Sequence, residues 1–459
     1  MFGGKSLKAR TLSDAQNKVI LITLLCLTET LYISLHFFPS SIYFLYNKYI
    51  LTSCSCFIIY FINIKLFSTL YNSYNVKHLL IIIFSFGLIF RITLIPLPPF
   101  LSDDIYRYIW DGYIQANGIN PYLYPPNSPE LITLRNNIFP SINHSHLPTI
   151  YPPLSQIFFF LTYYIIGNSF INIKIVFLLF DIATALLLVK TLGKLNLPLI
   201  NVAIYFLCPL PILEFFISGH IDIIGICFFI LFLYFYIVSK TLLSSSSLAF
   251  AILIKLLPII FLPIALYKLG KRKALIFLSI LLFILFIFYL PHYLIVNEKI
   301  FGSFGNFVKD FYFNSSIFSL LYELTNSNQL AAIICYFALG IWLLIVALTC
   351  QDFIRGIFWT LVGFYIFSPI VHPWYLTWIV PLLIFIPNKA FFWLIMSCQL
   401  SYYVLINYHT QNLWQDLPLI RLIEYIPFFA LLSYDLLRLQ TKILTFRDRK
   451  PYDNKRKTS

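Results

Sequence analysis

The stretch richest in chemistry runs from Ser102 to Tyr124, SDDIYRYIWDGYIQANGINPYLY. Asp103, Asp104, Arg107 and Asp111 crowd its first part, in a chain of which only 11% of residues are charged. A carboxylate in hydrogen-bond reach of a hydroxyl can take its proton. Guanidinium and ammonium groups hold phosphate. Two adjacent aspartates with an arginine one turn on therefore fit proton abstraction, phosphate recognition or both. The competing reading of Asp103 and Asp104 is helix capping. For Arg107 and Asp111 it is a stabilising i,i+4 pair.

These residues need an element to position them, and the spacing predicts a helix. Asp103, Arg107 and Asp111 fall at four-residue steps and share one face. Ile105, Tyr108, Ile109 and Trp110 supply the apolar and amphipathic side. Such a helix is expected to lie in the membrane interface rather than cross it. Gly118 is a natural stop, and Asn120-Pro121 forces an extended turn.

Further candidates lie along the chain. Arg91 sits near the end of an apolar run, where it either snorkels to the interface or binds phosphate. Tyr151-Pro152-Pro153 opens a short apolar segment; its plain role is to fix that segment's entry angle. His144 and His146 read as ordinary loop histidines. Glu214, His220 and Asp222 surround a span boundary after Pro209-Leu210-Pro211. Lys255 has apolar neighbours on both sides and needs an anion, because an unpaired ammonium there is costly. Phe313-Asn314-Ser315-Ser316 opens another apolar helix, with capping as the plain reading of Asn314. His372-Pro373-Trp374-Tyr375 begins a span, its aromatics being interfacial anchors.

The surrounding composition is that of a membrane. The 459 residues are 60% hydrophobic, with mean hydropathy +0.83, where soluble domains carry roughly 25% charged residues. The expected class is an all-α polytopic membrane protein. The net charge of +14 lies largely in short basic runs and in the tail; the positive-inside rule accounts for it, and no nucleic-acid partner is expected. No cleavable signal peptide is expected. The eight cysteines mostly lie in apolar stretches without ligand spacing, so neither disulfides nor zinc are expected.

A span needs about 20 apolar residues. Expected spans are 19–38, 49–70, 79–97, 173–190, 198–217, 221–239, 273–292, 330–350, 353–371, 374–388, 391–407 and 419–438. Segments 153–167 and 246–268 are harder to place; the first is short and the second is broken by Pro258 and Pro263. About 12–14 hydrophobic helices result. Lys5, Lys8, Arg10 and Lys18 put the N-terminus inside. The charge rule is best obeyed if 153–167 only dips into the outer face and 246–268 bends back as two half-helices with Lys255 near the turn. Lys190 and Lys194 are then inside, as is the basic tail 440–459. Loops 98–152 and 293–329 are outside, with His220, Asp222 and His372. The chain reads as one domain without internal repeats, with an extracytoplasmic catalytic loop at 98–152.

In its ordered set of motifs the chain resembles the GT-C superfamily of integral-membrane glycosyltransferases, in particular the bacterial polyprenol-phosphomannose-dependent mannosyltransferase-like branch. The carrying residues are SDDIYRYIWDG at 102–112, GINPY at 118–122, IYPPL at 150–154, Gly219-His220-Ile221-Asp222, Lys255 with Pro258, Phe313-Asn314-Ser315-Ser316 and His372-Pro373-Trp374-Tyr375. The likeness covers roughly residues 80 to 390. It implies a GT-C-like helical fold and transfer of mannose or another hexose, with inversion, from a polyprenyl-phosphate donor to an extracytoplasmic glycolipid or glycan acceptor. It makes Asp103 or Asp104 the catalytic base, and Lys255, Arg91 or Arg107 the phosphate partners. Asp111, Tyr151, His220, Asp222, Asn314 and His372 complete the expected substrate site. Some relatives use a divalent cation (Mg or Mn), which His220 with Asp222 could serve; no metal ligand is assigned. The resemblance also implies surrounding membrane lipids and the inner (cytoplasmic) membrane. The rival function is a transporter or flippase of lipid-linked saccharides. Transporters usually place ionisable groups at the midplane of inverted repeats, whereas here they gather at one face.

Overall fold

A computed structural model of the chain describes residues 13–301, 303, 305 and 311–447. Lys5, Lys8, Arg10 and residues 448–459 of the tail lie outside the described residues, as does part of the expected 293–329 loop. The described residues form helices and turns without a strand, apart from one isolated bridge between Phe313 and Ile370. Among the described residues, seven helices are long and apolar enough to cross a membrane. Three of them open the chain: α1 (Asp14–Ser34), α2 (Ile42–Leu70) and α3 (Val76–Leu94). The amphipathic α4 (Asp104–Ala116) follows, then the short α5 (Pro153–Ile166) and the long α6 (Phe170–Lys194). Lys271–Val296, Asn328–Thr349 and Lys389–Gln411 supply the remaining long spans.

The centre of the molecule is a broken helix. α7 (Leu199–Phe206) and α8 (Pro209–Ser218) meet at a 49° bend and together count as an eighth span. Pro209 and Pro211 lack the N–H groups that would continue the ladder. The carbonyls freed at the break find side chains instead: Arg91 Nη1 donates to Phe206 O at 2.8 Å and Tyr60 donates to Ile204 O at 2.7 Å. Such a break is tolerated at membrane depth because protein, not lipid, surrounds it; every residue from Val202 to Ser218 is buried.

Next come α9 (Asp222–Ile237), α10 (Thr241–Ile254), α11 (Leu257–Leu269) and α12 (Lys271–Val296). Lys255 is extended, with φ −150° and ψ 137°, and it ends α10 beside Asp222 at the start of α9. At the other end of these helices, Tyr236, Lys240, Thr241, Lys268 and Lys273 surround one small cavity. Segment 246–268 therefore does fold back on itself with Lys255 at the turn. Lys190, over the Tyr234 ring at 4.7 Å, belongs to that lysine end. α5 packs against α4, and its first turn touches the Lys255 turn, with Ser155 donating to Ile254 O at 2.7 Å. Helix α5 thus stays beside the end of the bundle opposite the lysines, as its length predicts.

Two expectations need correcting. Segment 374–388 is not a continuous helix: it forms a 3-10 turn, Pro373–Trp378, and the four-residue helix Val380–Leu383. Pro373 and Pro381 interrupt the ladder, and the segment is an irregular plug buried within the protein, with Trp378 inaccessible. Helix α4, expected to lie in the membrane interface, is instead packed into the protein, with Arg107 5% exposed and Asp111 fully buried. Helix α4 is held on both sides, by α5 and by the 117–152 loop.

Candidate active site

Asp103, Asp104, Arg107, Tyr151, Lys255 and His372 converge on one cavity of about 700 Å³. It opens at the end of the bundle that carries α4 and the Lys255 turn. Its volume falls in the ordinary range for small-ligand sites.

Asp103 precedes the first turn of α4 but makes no capping hydrogen bond, so the plain capping role does not occupy it. Burial, together with the neighbouring Asp104, raises its carboxyl from 3.8 to about 6. A carboxylate so placed is a stronger base than an ordinary aspartate. Asp104 is tethered instead. Its Oδ1 accepts from Asn143 Nδ2 at 2.8 Å, and its Oδ2 lies 3.5 Å from His220 Nδ1. Arg107 faces two ways: its Nε donates to Asp111 at 2.9 Å and its Nη1 to Leu147 O at 3.0 Å, while it still lines the cavity. Lys255 Nζ sits 2.7 Å from both oxygens of Asp222 and 4.5 Å from the Tyr375 ring centroid, with 21% of its side chain exposed. Trp378 Nε1 gives Asp222 a second donor group at 2.7 Å. Tyr151 meets Tyr108 edge-on at 5.0 Å and holds the floor beside α5.

His220 lies just behind the cavity wall, 1% exposed, with Nε2 unpartnered and 3.9 Å from Glu214. Its ring stacks on Trp374 at 3.9 Å, Trp374 on His372 at 4.0 Å, and His372 on Phe313 at 4.6 Å. The aromatics of the His372-Pro373-Trp374-Tyr375 motif thus face the cavity rather than a lipid interface. Gly219, just before His220, needs its freedom. Its φ is +79°, and a Cβ there would come 2.6 Å from Ile105 Cδ1 on α4.

Five expected site residues do not line the cavity: His220 stands behind its wall, Asp222 backs Lys255, and Arg91, Asp111 and Asn314 lie elsewhere. Arg91 is fully buried and paired with Asp181 at 2.5 Å, its guanidinium closing the α7–α8 break. Asp111 is consumed by Arg107 and Gln156 and does not reach the cavity. Asn314 sits behind Phe313, its backbone N–H on Asp416 and its amide on Glu424 at 2.8 Å. Asp222 is engaged on both oxygens by Lys255. Among the described residues, no group of three His, Cys, Asp or Glu side chains is arranged to hold a metal.

Sequence reasoning missed several members of the cavity. Asn143 and His144 come from the 98–152 loop, where no role was given to Asn143 and His144 was read as an ordinary loop histidine; Trp414 and Asp416 come from the short segment before the last helix, and Arg421 from that helix's first turn. Asp416 stands two residues before Pro418, which opens that helix. The signal for Trp414 was a tryptophan in a polar segment, Gln411-Asn412-Leu413-Trp414-Gln415-Asp416, and it was not used.

Two family models match the chain. Residues 80–270 match the N-terminal domain of the alpha-(1->6)-mannopyranosyltransferase family, and residues 318–431 match the MptB C-terminal domain. The chain belongs to this mannosyltransferase family. It is a membrane glycosyltransferase of the GT-C mannosyltransferase-like kind. No curated protein and no solved structure matches it. The N-terminal match includes Asp103, Asp104, Arg107, His220 and Lys255, and the C-terminal match includes His372, Trp414 and Asp416. Both matched parts of the mannosyltransferase therefore build the same cavity.

Proposed function

We propose that this mannosyltransferase takes mannose from a polyprenyl-phosphate donor and delivers it to an extracytoplasmic glycan or glycolipid acceptor. The observation that carries the reading is the cavity itself: Asp103, whose carboxylate has no side-chain hydrogen bond among the described residues, shares it with the cations Arg107 and Lys255. In the proposed step Asp103 accepts the proton of the acceptor hydroxyl, and that oxygen attacks the anomeric carbon. The bond from that carbon to the phosphate oxygen breaks, and the lipid phosphate leaves with the electron pair. Lys255 and Arg107 offset the charge that collects on the phosphate. Asp104, tethered by Asn143 and facing His220, orients the start of α4. Attack opposite the leaving group inverts the centre, so an α-linked product requires a β-linked lipid donor.

Topology supports the same side for site and acceptor. The lysine-lined end of α9–α12 fits the cytoplasm by the positive-inside rule, which turns the cavity outward and suits an enzyme of the inner membrane. A lipid donor suits that compartment because it carries activated sugar across. The transporter reading is less well supported, since the ionisable groups gather at one end of the bundle rather than at its middle. The test is transfer by the purified protein in detergent, with mannose labelled in either a β-linked polyprenyl phosphate or a nucleotide sugar, and a membrane glycan extract as acceptor. Label from the lipid donor alone is the expected result. Transfer from the nucleotide sugar alone refutes the donor assignment.

A further inference from the structure

The aromatic stack that begins behind Asp104 does not stop at His372. It continues through Phe313 to Trp414, whose ring lies 5.2 Å from Phe313. His220, Trp374, His372, Phe313 and Trp414 thus form one ladder, and its last four members line the cavity. Its far end is chemically distinct from the Asp103 end. Trp414 is 46% exposed. Asp416 and Arg421 line the cavity with it. The carboxylate of Asp416 is fixed in place by the backbone N–H of Asn314 at 3.1–3.2 Å. Asn314 itself is locked by Glu424 and by Tyr425, which donates to its carbonyl at 2.7 Å. Two buried partners therefore hold the backbone that orients Asp416.

An exposed indole beside a fixed carboxylate and a guanidinium suits a pyranose ring. The C–H face of a sugar lies on an aromatic plane, while its hydroxyls need a strong acceptor and a strong donor at the edge. A phosphate fits worse, because Asp416 would repel it. The lipid phosphate already has cations at the other end of the ladder. We propose that Trp414, Asp416 and Arg421 form a distal acceptor subsite that binds a sugar residue of the growing glycan, one or more rings removed from the hydroxyl being mannosylated. This rests on the mannosyl-transfer reading for its choice of ligand. It assigns to the C-terminal part the job of holding the acceptor chain, while α4 and the Lys255 turn hold the reacting end. The enzyme then prefers an oligosaccharide acceptor to a single sugar.

The test is calorimetric titration of the full-length protein in detergent with α-1,6-linked mannotriose and, separately, with mannose. The trisaccharide is expected to bind at least tenfold more tightly. Trp414→Ala is expected to weaken the trisaccharide on the order of tenfold or more, the scale of a lost aromatic anchor. Mannose binding changes little. Asp416→Asn keeps an oxygen for the Asn314 N–H and should weaken the trisaccharide with an unchanged melting temperature. If Trp414→Ala fails to fold, Trp414→Phe serves, with a smaller loss. Equal affinity for mannose and mannotriose, or trisaccharide binding untouched by the Trp414 and Asp416 variants, overturns the subsite. Binding is read without turnover, so the two readings fail separately. Trp414-dependent binding without any mannosyl transfer would sink the catalytic reading and leave the subsite standing.

Discussion

Replacing Asp103 by asparagine isolates one proton-accepting group at almost constant shape. The carboxyl titrates near 6 because burial and Asp104 disfavour its charge. A rise from 3.8 to about 6 corresponds to on the order of 2–3 kcal/mol of unfavourable charging in the folded protein. The neutral amide removes that cost, so Asp103→Asn should melt no lower than the native chain. Loss of a general base typically costs 10²–10⁴-fold in rate, or roughly 3–5 kcal/mol of barrier. The two quantities therefore move in opposite directions, which a merely structural residue would not produce.

The native pH profile gives a second reading of the same group. Only the carboxylate can take a proton, so transfer should fall as pH drops through about 6. For folding the sign is reversed. The folded carboxyl binds its proton more tightly than the unfolded one, so this group's contribution to stability improves as pH falls from about 6 towards 4. The assay is single-turnover transfer of labelled mannose from pH 4.5 to 8, with melting curves on the same samples. An acidic limb near 4, or an Asp103→Asn variant retaining full transfer, refutes the assignment of Asp103 as base. If Asp104→Asn alone abolishes transfer while Asp103→Asn does not, the roles of the two aspartates are exchanged.

Other substitutions separate the frame from the chemistry. Arg91→Ala leaves Asp181 buried without its ion partner and the Phe206 carbonyl unbonded. It should cost about 3–5 kcal/mol, seen as a lower melting temperature in detergent. Arg91→Lys should rescue little, because one ammonium cannot reproduce the guanidinium's directed contacts. Lys255→Met leaves Asp222 with Trp378 as its remaining donor. It should raise KM for the lipid donor and lower stability, and adding Asp222→Asn should restore stability without restoring KM. Gly219→Ala meets both the positive φ and the Ile105 side chain. About 1–3 kcal/mol of stability should be lost, together with part of kcat, since Ile105 adjoins Asp104.

The charged groups of the cavity were legible from local sequence because charge is so costly in an apolar chain. Asp103, Asp104, Arg107 and Lys255 stand out against their surroundings, and the structure brings all four to one cavity. The fold-back at Lys255 and the short α5 were legible for a related reason. Positive charge sorts to one side of the membrane, and only that folding keeps Lys190 with Lys268. Gly118, with φ +77°, ends α4 as its type predicts.

Other features were decided only by the tertiary structure. Nothing in the spacing of Arg91 tells a phosphate ligand from the partner of a broken helix; Asp181 and the Phe206 carbonyl, distant in sequence, make that choice. The i,i+4 spacing offers Arg107 as a partner for Asp111, but nothing in the sequence shows that Gln156 takes its other oxygen and keeps it from the cavity. Residues 374–388 have the composition of a span, yet burial by neighbouring helices lets their backbone stay irregular. The ladder from His220 to Trp414 joins five rings from four separate segments, with steps of about 4 to 5 Å. Sequence determines which residues are too costly to leave without a purpose. Packing determines which of them find a partner inside the protein and which are left facing the cavity.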